Sequence, residues 1–159
     1  MNATATLVRT VPATDAEGLV ESVHEVMKAV LHRLHPALDA QGISMGQFWS
    51  LHLVSSLRSA SMSTVARHLA LSAPTVCANI DQLEAAGLVS RRRSERDRRE
   101  VELRLTPKGR RVEARIWGQI GEVVSEAARD LPPGDVAVAL KVFHELETRL
   151  EPVSPGGPP

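Results

Sequence analysis

At Gly87 the hydrophobic period of this chain changes from that of a helix to that of a strand. Upstream, Val76, Ile80 and Leu83 recur at three- and four-residue spacing; downstream, Val101, Leu103 and Leu105 alternate with Glu100, Glu102 and Arg104. One element cannot present both patterns, so the chain turns at Gly87, where a glycine past the last periodic residue is the usual helix stop. Leu88 and Val89 lead into Arg91, Arg92 and Arg93, and with 101–105 they predict a β-hairpin whose tip is residues 94–99. Two short helices precede it, at about 63–69 and 74–86, separated by Ala70-Leu71-Ser72, the second with Pro74 at its start. Two short helices, a tight turn and a hairpin make a helix-turn-helix with a wing.

The rest of the chain is helical in pattern. From Asp15, Leu19, Val23, Val26, Met27, Val30, Leu31 and Leu34 predict a helix to about His35, where Pro36 bends or ends it. Ser44 caps a second helix carrying Phe48, Leu51, Val54 and Leu57, with Gln47 placed to complete a capping box. Thr106-Pro107 opens a long helix to about Asp130, with Val112, Ile116, Ile120, Val123, Val124 and Ala127 on one face. Leu131-Pro132-Pro133 breaks it, and a last helix covers about 134–150. Residues 1–14 read as a flexible N-terminus and the Pro/Gly-rich 151–159 as a disordered tail. No stretch reaches the roughly 20 apolar residues of a membrane span, and 1–14 lack the basic start and apolar run of a secretion signal, so the expected location is the cytoplasm.

Net charge is zero, but it is unevenly distributed. Between Val89 and Arg111 ten Lys/Arg face four acids, a local +6, and the remainder carries the compensating −6. Six of those arginines lie within the nine residues Arg91 to Arg99. Guanidinium groups on a protruding hairpin fit the concentrated negative potential of a minor groove, and a helix beside it fits the major groove, so the partner this pattern predicts is double-stranded DNA. In the second short helix Val76, Ile80 and Leu83 share the inward face. Thr75, Ala78, Asn79 and Gln82 then point outward, with Ser72 at the helix start near a backbone phosphate. Asn79 and Gln82 have the amide pair that grips adenine on two atoms, and Thr75 can touch a thymine methyl. Taken singly, each also reads as an ordinary solvated helix residue.

Other chemistries find little support. The lone cysteine, Cys77, excludes an internal disulfide and a cysteine-rich zinc site. On the recognition helix it reads either as a redox-sensitive thiol or, more plainly, as a small buried or groove-edge residue. His32 and His35 are three apart with His24 two turns earlier, yet no Cys or carboxylate cluster joins them, so no metal or other cofactor is expected. A phosphate-binding glycine loop, a metalloprotease His pair and a nucleophile elbow are all missing from the sequence, which argues against an enzyme. The stronger rival is a winged-helix adaptor for proteins, which would need neither six arginines in the wing nor a steep salt dependence of duplex binding.

An ordered set of segments resembles the MarR (multiple antibiotic resistance regulator) family of transcription regulators. It comprises Gly42-Ile43-Ser44 before Gln47-Phe48, Val65-Ala66-Arg67-His68-Leu69, Pro74-Thr75-Val76, Leu83-Glu84-Ala85-Ala86-Gly87-Leu88-Val89, Asp97-Arg98-Arg99 and Leu105-Thr106-Pro107-Lys108-Gly109. The resemblance implies a mostly α fold with a small β-hairpin wing: a winged helix-turn-helix (41–106) joined to a helical dimerisation domain (15–40 and 107–150). It also implies a homodimer, probing a pseudo-palindromic operator as a ligand-responsive repressor. Wing residues Arg96, Asp97, Arg98 and Arg99 would contact DNA, with Arg99 in the minor groove and Asp97 holding it; alternatively Asp97 is a simple turn residue. One departure is that this recognition helix has no Lys or Arg, where many members are basic at the positions of Ala78 and Gln82, so affinity should come mainly from the wings. Members of the family often bind small phenolic or aromatic acids where the dimerisation helices meet the DNA-binding lobe. The candidates here are Trp49 and His52, with His24 and His32; the plainer reading makes Trp49 core and the histidines surface or interface residues.

Overall fold

The computed structural model describes residues 16–57, 60–93 and 101–150. The predicted mobile ends and the hairpin tip, with Arg96, Asp97, Arg98 and Arg99, lie outside the described residues. The first helix, α1 (Ala16–Gln41), runs through Pro36 rather than stopping there. Proline removes one helical hydrogen bond and costs about 3 kcal/mol. Leu34 and Leu38, either side of it, are both buried, and each such leucine returns roughly 1.5–3 kcal/mol. The helix instead ends where Ile43 N–H reaches Leu38 O at 3.2 Å and Gly42 N–H reaches Asp39 O at 3.0 Å, which brings Ile43 into the core beside Leu38.

The second helix, α2 (Met45–Ser56), starts at the expected capping box: Ser44 Oγ accepts from Gln47 N–H at 3.2 Å and Ser44 N–H donates to Gln47 Oε1 at 2.6 Å. A two-residue strand, β1 (Ala60–Ser61), follows, too short to leave a periodic signature in the sequence. Ser61 then caps α3 (Met62–Leu69), with Thr64 completing a second capping box. Leu71 N–H returns to Ala66 O at 3.0 Å across a turn that holds Ala70 in the left-handed region (φ 51°), and Ser72 caps α4 (Ala73–Ala85). Strands β2 (Val89–Arg93) and β3 (Val101–Leu105) form the expected hairpin, and β1 adds to its other side, giving an antiparallel sheet of order β1-β3-β2. The register pairs Val89 with Leu105, Arg91 with Leu103 and Ala60 with Leu103. The last two helices are α5 (Pro107–Ala127) and α6 (Pro133–Leu150).

One core joins the elements from α1 to the first part of α5. Phe48 and Leu51 of α2, Val65 of α3, Val76, Ile80 and Leu83 of α4, Leu88, Val89, Leu103 and Ile116 of α5 are all but inaccessible to solvent. The start of α5 is set by a close approach. Thr106 N–H donates to Leu88 O at 3.0 Å, its hydroxyl donates to Gly87 O at 2.7 Å, and that hydroxyl accepts from Gly109 N–H at 3.0 Å. A methyl at Gly109 would lie 2.0 Å from Leu88 O, so only glycine lets the helix come this near.

The chain divides into two compact units, one ending at Gly121 and the other beginning at Glu122. In the first, α1 leaves Leu19, Val20, Val23, Val26 and Met27 exposed; in the second, α6 buries none of its residues and exposes Val138, Leu140 and Phe143. Among the described residues, no helix is long and apolar enough to cross a membrane.

Candidate nucleic-acid interface

The recognition-helix candidate, α4, packs Val76, Ile80 and Leu83 inward as its spacing dictates. Ser72, Thr75 and Ala78 are exposed at its outer face and N-terminal end. Ser72 Oγ caps the helix by accepting from Thr75 N–H at 3.3 Å and lies 2.7 Å from the Thr75 hydroxyl. Asn79 departs from the expected outward orientation. It is half-buried, its Nδ2 donates to Ser50 Oγ at 3.4 Å, and Ser50 in turn donates to Gly46 O at 2.8 Å. The reason lies in helix geometry: position 79 is three residues from Val76 and four from Leu83, on the flank of the buried stripe. Gln82 is exposed but braced, since its Oε1 accepts from Nε2 of the buried Gln47. Gln47 thus closes its own helix cap and fixes a side chain of α4.

Basic groups near α4 fall into two sets. Arg91 is a strut. Its guanidinium spans Asp81 (2.6 Å) and Glu84 (2.5 Å) of α4, and its backbone N–H also reaches Glu84 at 3.3 Å. The hydrogen bond it donates to Asp81 raises its pKa further, against the opposing effect of desolvation. Lys108 Nζ donates to Ala86 O at 2.8 Å at the end of α4, where unpaired helix carbonyls favour a cation. Arg104 is drawn to Glu102 at 2.9 Å. Arg92 and Arg93 are exposed and have no acidic partner among the described residues, and Arg67 and His68 are exposed at the end of α3. Of the arginines counted in the wing, Arg91 therefore serves the protein's own geometry, neutralising Asp81 and Glu84 on α4.

A helix-turn-helix whose outer face is small and polar, braced against a hairpin with exposed arginines at its root, spans the stretch that matches a known family: the model of the MarR family covers residues 43–101. Over that stretch the chain is similar to the MarR family. Solved structures share the fold well beyond that stretch. A MarR-family transcriptional regulator from Silicibacter pomeroyi aligns at 20% identity over 92% of this chain and 99% of its own, with a TM-score of 0.73. A MarR family protein from Bacillus stearothermophilus aligns at 18% identity over 88% and 98%, TM-score 0.75. The transcriptional regulator BldR from Sulfolobus solfataricus aligns at 26% identity over 83% and 94%, TM-score 0.68. NadR, solved in complex with 4-hydroxyphenylacetate, aligns at 20% identity over 86% and 96%, TM-score 0.69. The comparison with curated proteins found no match.

A second cluster, between α2 and α5, gathers both tryptophans of the chain. His52 of α2 stacks on Trp117 of α5 with ring centroids 4.0 Å apart and planes 12° apart, and Trp49 meets Trp117 edge-on at 6.5 Å. His52 Nδ1 donates to Glu113 at 2.8 Å. Trp117 is 45% exposed, so part of this aromatic surface faces solvent. Trp49 and His52 were foreseeable from sequence. Trp117 and Glu113 were not, although their four-residue spacing puts them on one helical face. His24 and His32 stay exposed on α1, and no ring contact joins them to the cluster. Among the described residues no group of three or more His, Cys, Asp or Glu could hold a metal ion. Cys77 is exposed on α4, its thiol 3.7 Å from Asp81 Oδ2, rather than buried.

Proposed function

We propose that this protein is a non-enzymatic, cytoplasmic transcription regulator that binds duplex DNA as a homodimer on a pseudo-palindromic operator. The observation that carries this reading is the exposed α4 face of the MarR-like stretch beside a hairpin with six arginines in nine residues. Ser72 and Thr75 meet the backbone and groove edge at the helix start, Ala78 and Gln82 lie along the major groove, and Asn79 acts through its contact with Ser50. Arg96, Arg98 and Arg99 supply the wing's phosphate and minor-groove contacts, with Asp97 orienting Arg99. The exposed apolar residues of α1, and separately those of α6, each offer a surface to a second copy. Residues 15–40 and 107–150 would thus form the dimerisation part and 41–106 the DNA-binding part.

Fluorescence anisotropy on duplex pools, read as a function of salt, tests the reading. Binding should weaken steeply with salt, with a log–log slope near −0.9 per phosphate neutralised. No binding to any duplex in dilute buffer would refute it.

The Trp49–His52–Trp117 surface with Glu113 at its edge is the effector site of this reading, suited to a flat aromatic acid that makes the protein release its operator. NadR, of similar fold, holds such a compound. Titration with 4-hydroxyphenylacetate should quench tryptophan emission and lower operator affinity, and Trp117→Leu should abolish both effects. Unchanged operator affinity at saturating compound would remove repressor control by aromatic acids.

A further inference from the structure

The outer face of the wing sheet holds charge that DNA recognition by α4 does not use. Strand alternation turns Val89, Arg91, Leu103 and Leu105 towards the core and α4, and leaves Ser90, Arg92, Glu102 and Arg104 on the opposite side. Arg110, in the first turn of α5, joins them, its Nη1 donating to Leu105 O at 3.0 Å. Ser90, Arg92, Arg104, Thr106 and Arg110 line a cavity of about 410 Å³. A neighbouring hollow of about 370 Å³ shares Arg104 and Arg110 and extends towards Val54 and Leu57.

The electrostatics of this notch are unbalanced. Three guanidinium groups line it, and among the described residues the carboxylate beside it, Glu102, is engaged by Arg104 at 2.9 Å. Arg92 and Arg110 pair with no acid among the described residues. Clustered guanidinium groups repel one another unless an anion sits among them, and their planar forks match phosphoryl oxygens two at a time. The positive end of the α5 dipole, opening at Pro107 on the cavity wall, adds to the same field. The volume is enough for a phosphoryl group with an organic substituent reaching the second hollow.

We propose that Arg92, Arg104 and Arg110 form a phosphoryl-binding site on the face of the wing sheet turned away from the recognition helix. The phosphoryl group is that of a small phosphorylated molecule or of the DNA backbone curving past the wing, and the chemistry of capture is the same for both. Glu102 acts as the internal competitor that holds Arg104 when the site is empty.

Calorimetric titration of the full chain with inorganic pyrophosphate, at constant ionic strength in chloride buffer, tests the site without requiring DNA binding. Arg92→Gln and Arg110→Gln should each weaken pyrophosphate by about tenfold, as loss of a charge-assisted bond implies. Glu102→Gln should tighten it severalfold, and Arg111→Gln, with the same change of charge outside the cavity, should leave it unchanged. The Arg92 side chain makes no hydrogen bond to another described residue, so its variant should melt like the parent. In a second arm, Arg92→Gln should reduce the salt slope of duplex binding by about 0.9 if the phosphoryl group belongs to DNA, and leave it unchanged if it belongs to a small molecule. The proposal is overturned if the parent ignores pyrophosphate while the Arg92→Gln slope stays put, or if Arg111→Gln weakens pyrophosphate as much as Arg92→Gln does.

Discussion

Replacing Gly109 by alanine should be among the most damaging single changes this chain can suffer, although it adds only one methyl group. That carbon would sit 2.0 Å from Leu88 O and 2.9 Å from Leu88 C, both backbone atoms that cannot swing aside. Ordinary carbon–oxygen contact needs more than about 3 Å, so the start of α5 must retreat from β2 by about 1 Å or more. Retreat pulls apart the bond from Thr106 N–H to Leu88 O, and the Thr106 hydroxyl that joins Gly87 O to Gly109 N–H. Three such bonds at about 1 kcal/mol each, with about 1–2 kcal/mol for loosened packing of Val112 and Ile116, give a loss of about 4–5 kcal/mol. Native stabilities are commonly about 5–15 kcal/mol, so the variant should be close to unfolding. Urea denaturation followed by tryptophan emission suits the question, because Trp117 lies two turns along α5 and Trp49 packs against it. Parent and variant must be compared at one protein concentration, since association would contribute to both. The same change at Gly118, where an added methyl meets nothing within 4 Å, should instead gain up to about 1 kcal/mol of helix propensity. A Gly109→Ala midpoint equivalent to less than 1 kcal/mol of destabilisation would refute the close-approach argument.

Arg91→Ala should weaken duplex binding severalfold by exposing Asp81 and Glu84, yet leave the salt slope as it is; a slope smaller by about 0.9 would mean that Arg91 touches a phosphate instead. Gly87→Ala, at φ +70°, should cost about 1–2 kcal/mol, measured by thermal unfolding, and Gly87→Asn less. Gln47→Ala removes both the α2 capping box and the brace on Gln82, so it should lose about 1–2 kcal/mol of stability. It should also narrow the ratio of operator to random-duplex affinity, and an unchanged ratio in competition gel shifts would show that Gln82 does not read bases. Arg99→Ala should weaken operator binding far more than Asn79→Ala weakens nonspecific binding, and gel-shift titrations with no loss for Arg99→Ala would remove the wing assignment.

Local patterns in the chain were enough to set its helices and hairpin strands and their order, though not the two-residue β1. The capping box at Ser44 and Gln47, the Ser72 cap, the stop at Gly87 and the alternation of Val101, Leu103 and Leu105 each depend on residues within a few positions of one another, so sequence alone determined them. The asymmetry of charge was equally plain, because it is a property of the string of residues. Tertiary structure decided what distance in sequence hides. Pro36 sits inside α1 because Leu38 finds a core formed by residues far downstream. Asn79 turns inward because Ser50 waits on another helix, and Arg91 becomes a strut because folding brings Asp81 and Glu84 beneath it. The Trp117 ring lies on His52, 65 positions earlier in the chain. Periodicity assigns a side chain to a face, but its partner is chosen by packing between elements, and hydrogen bonds and ion pairs form with whatever group that packing delivers.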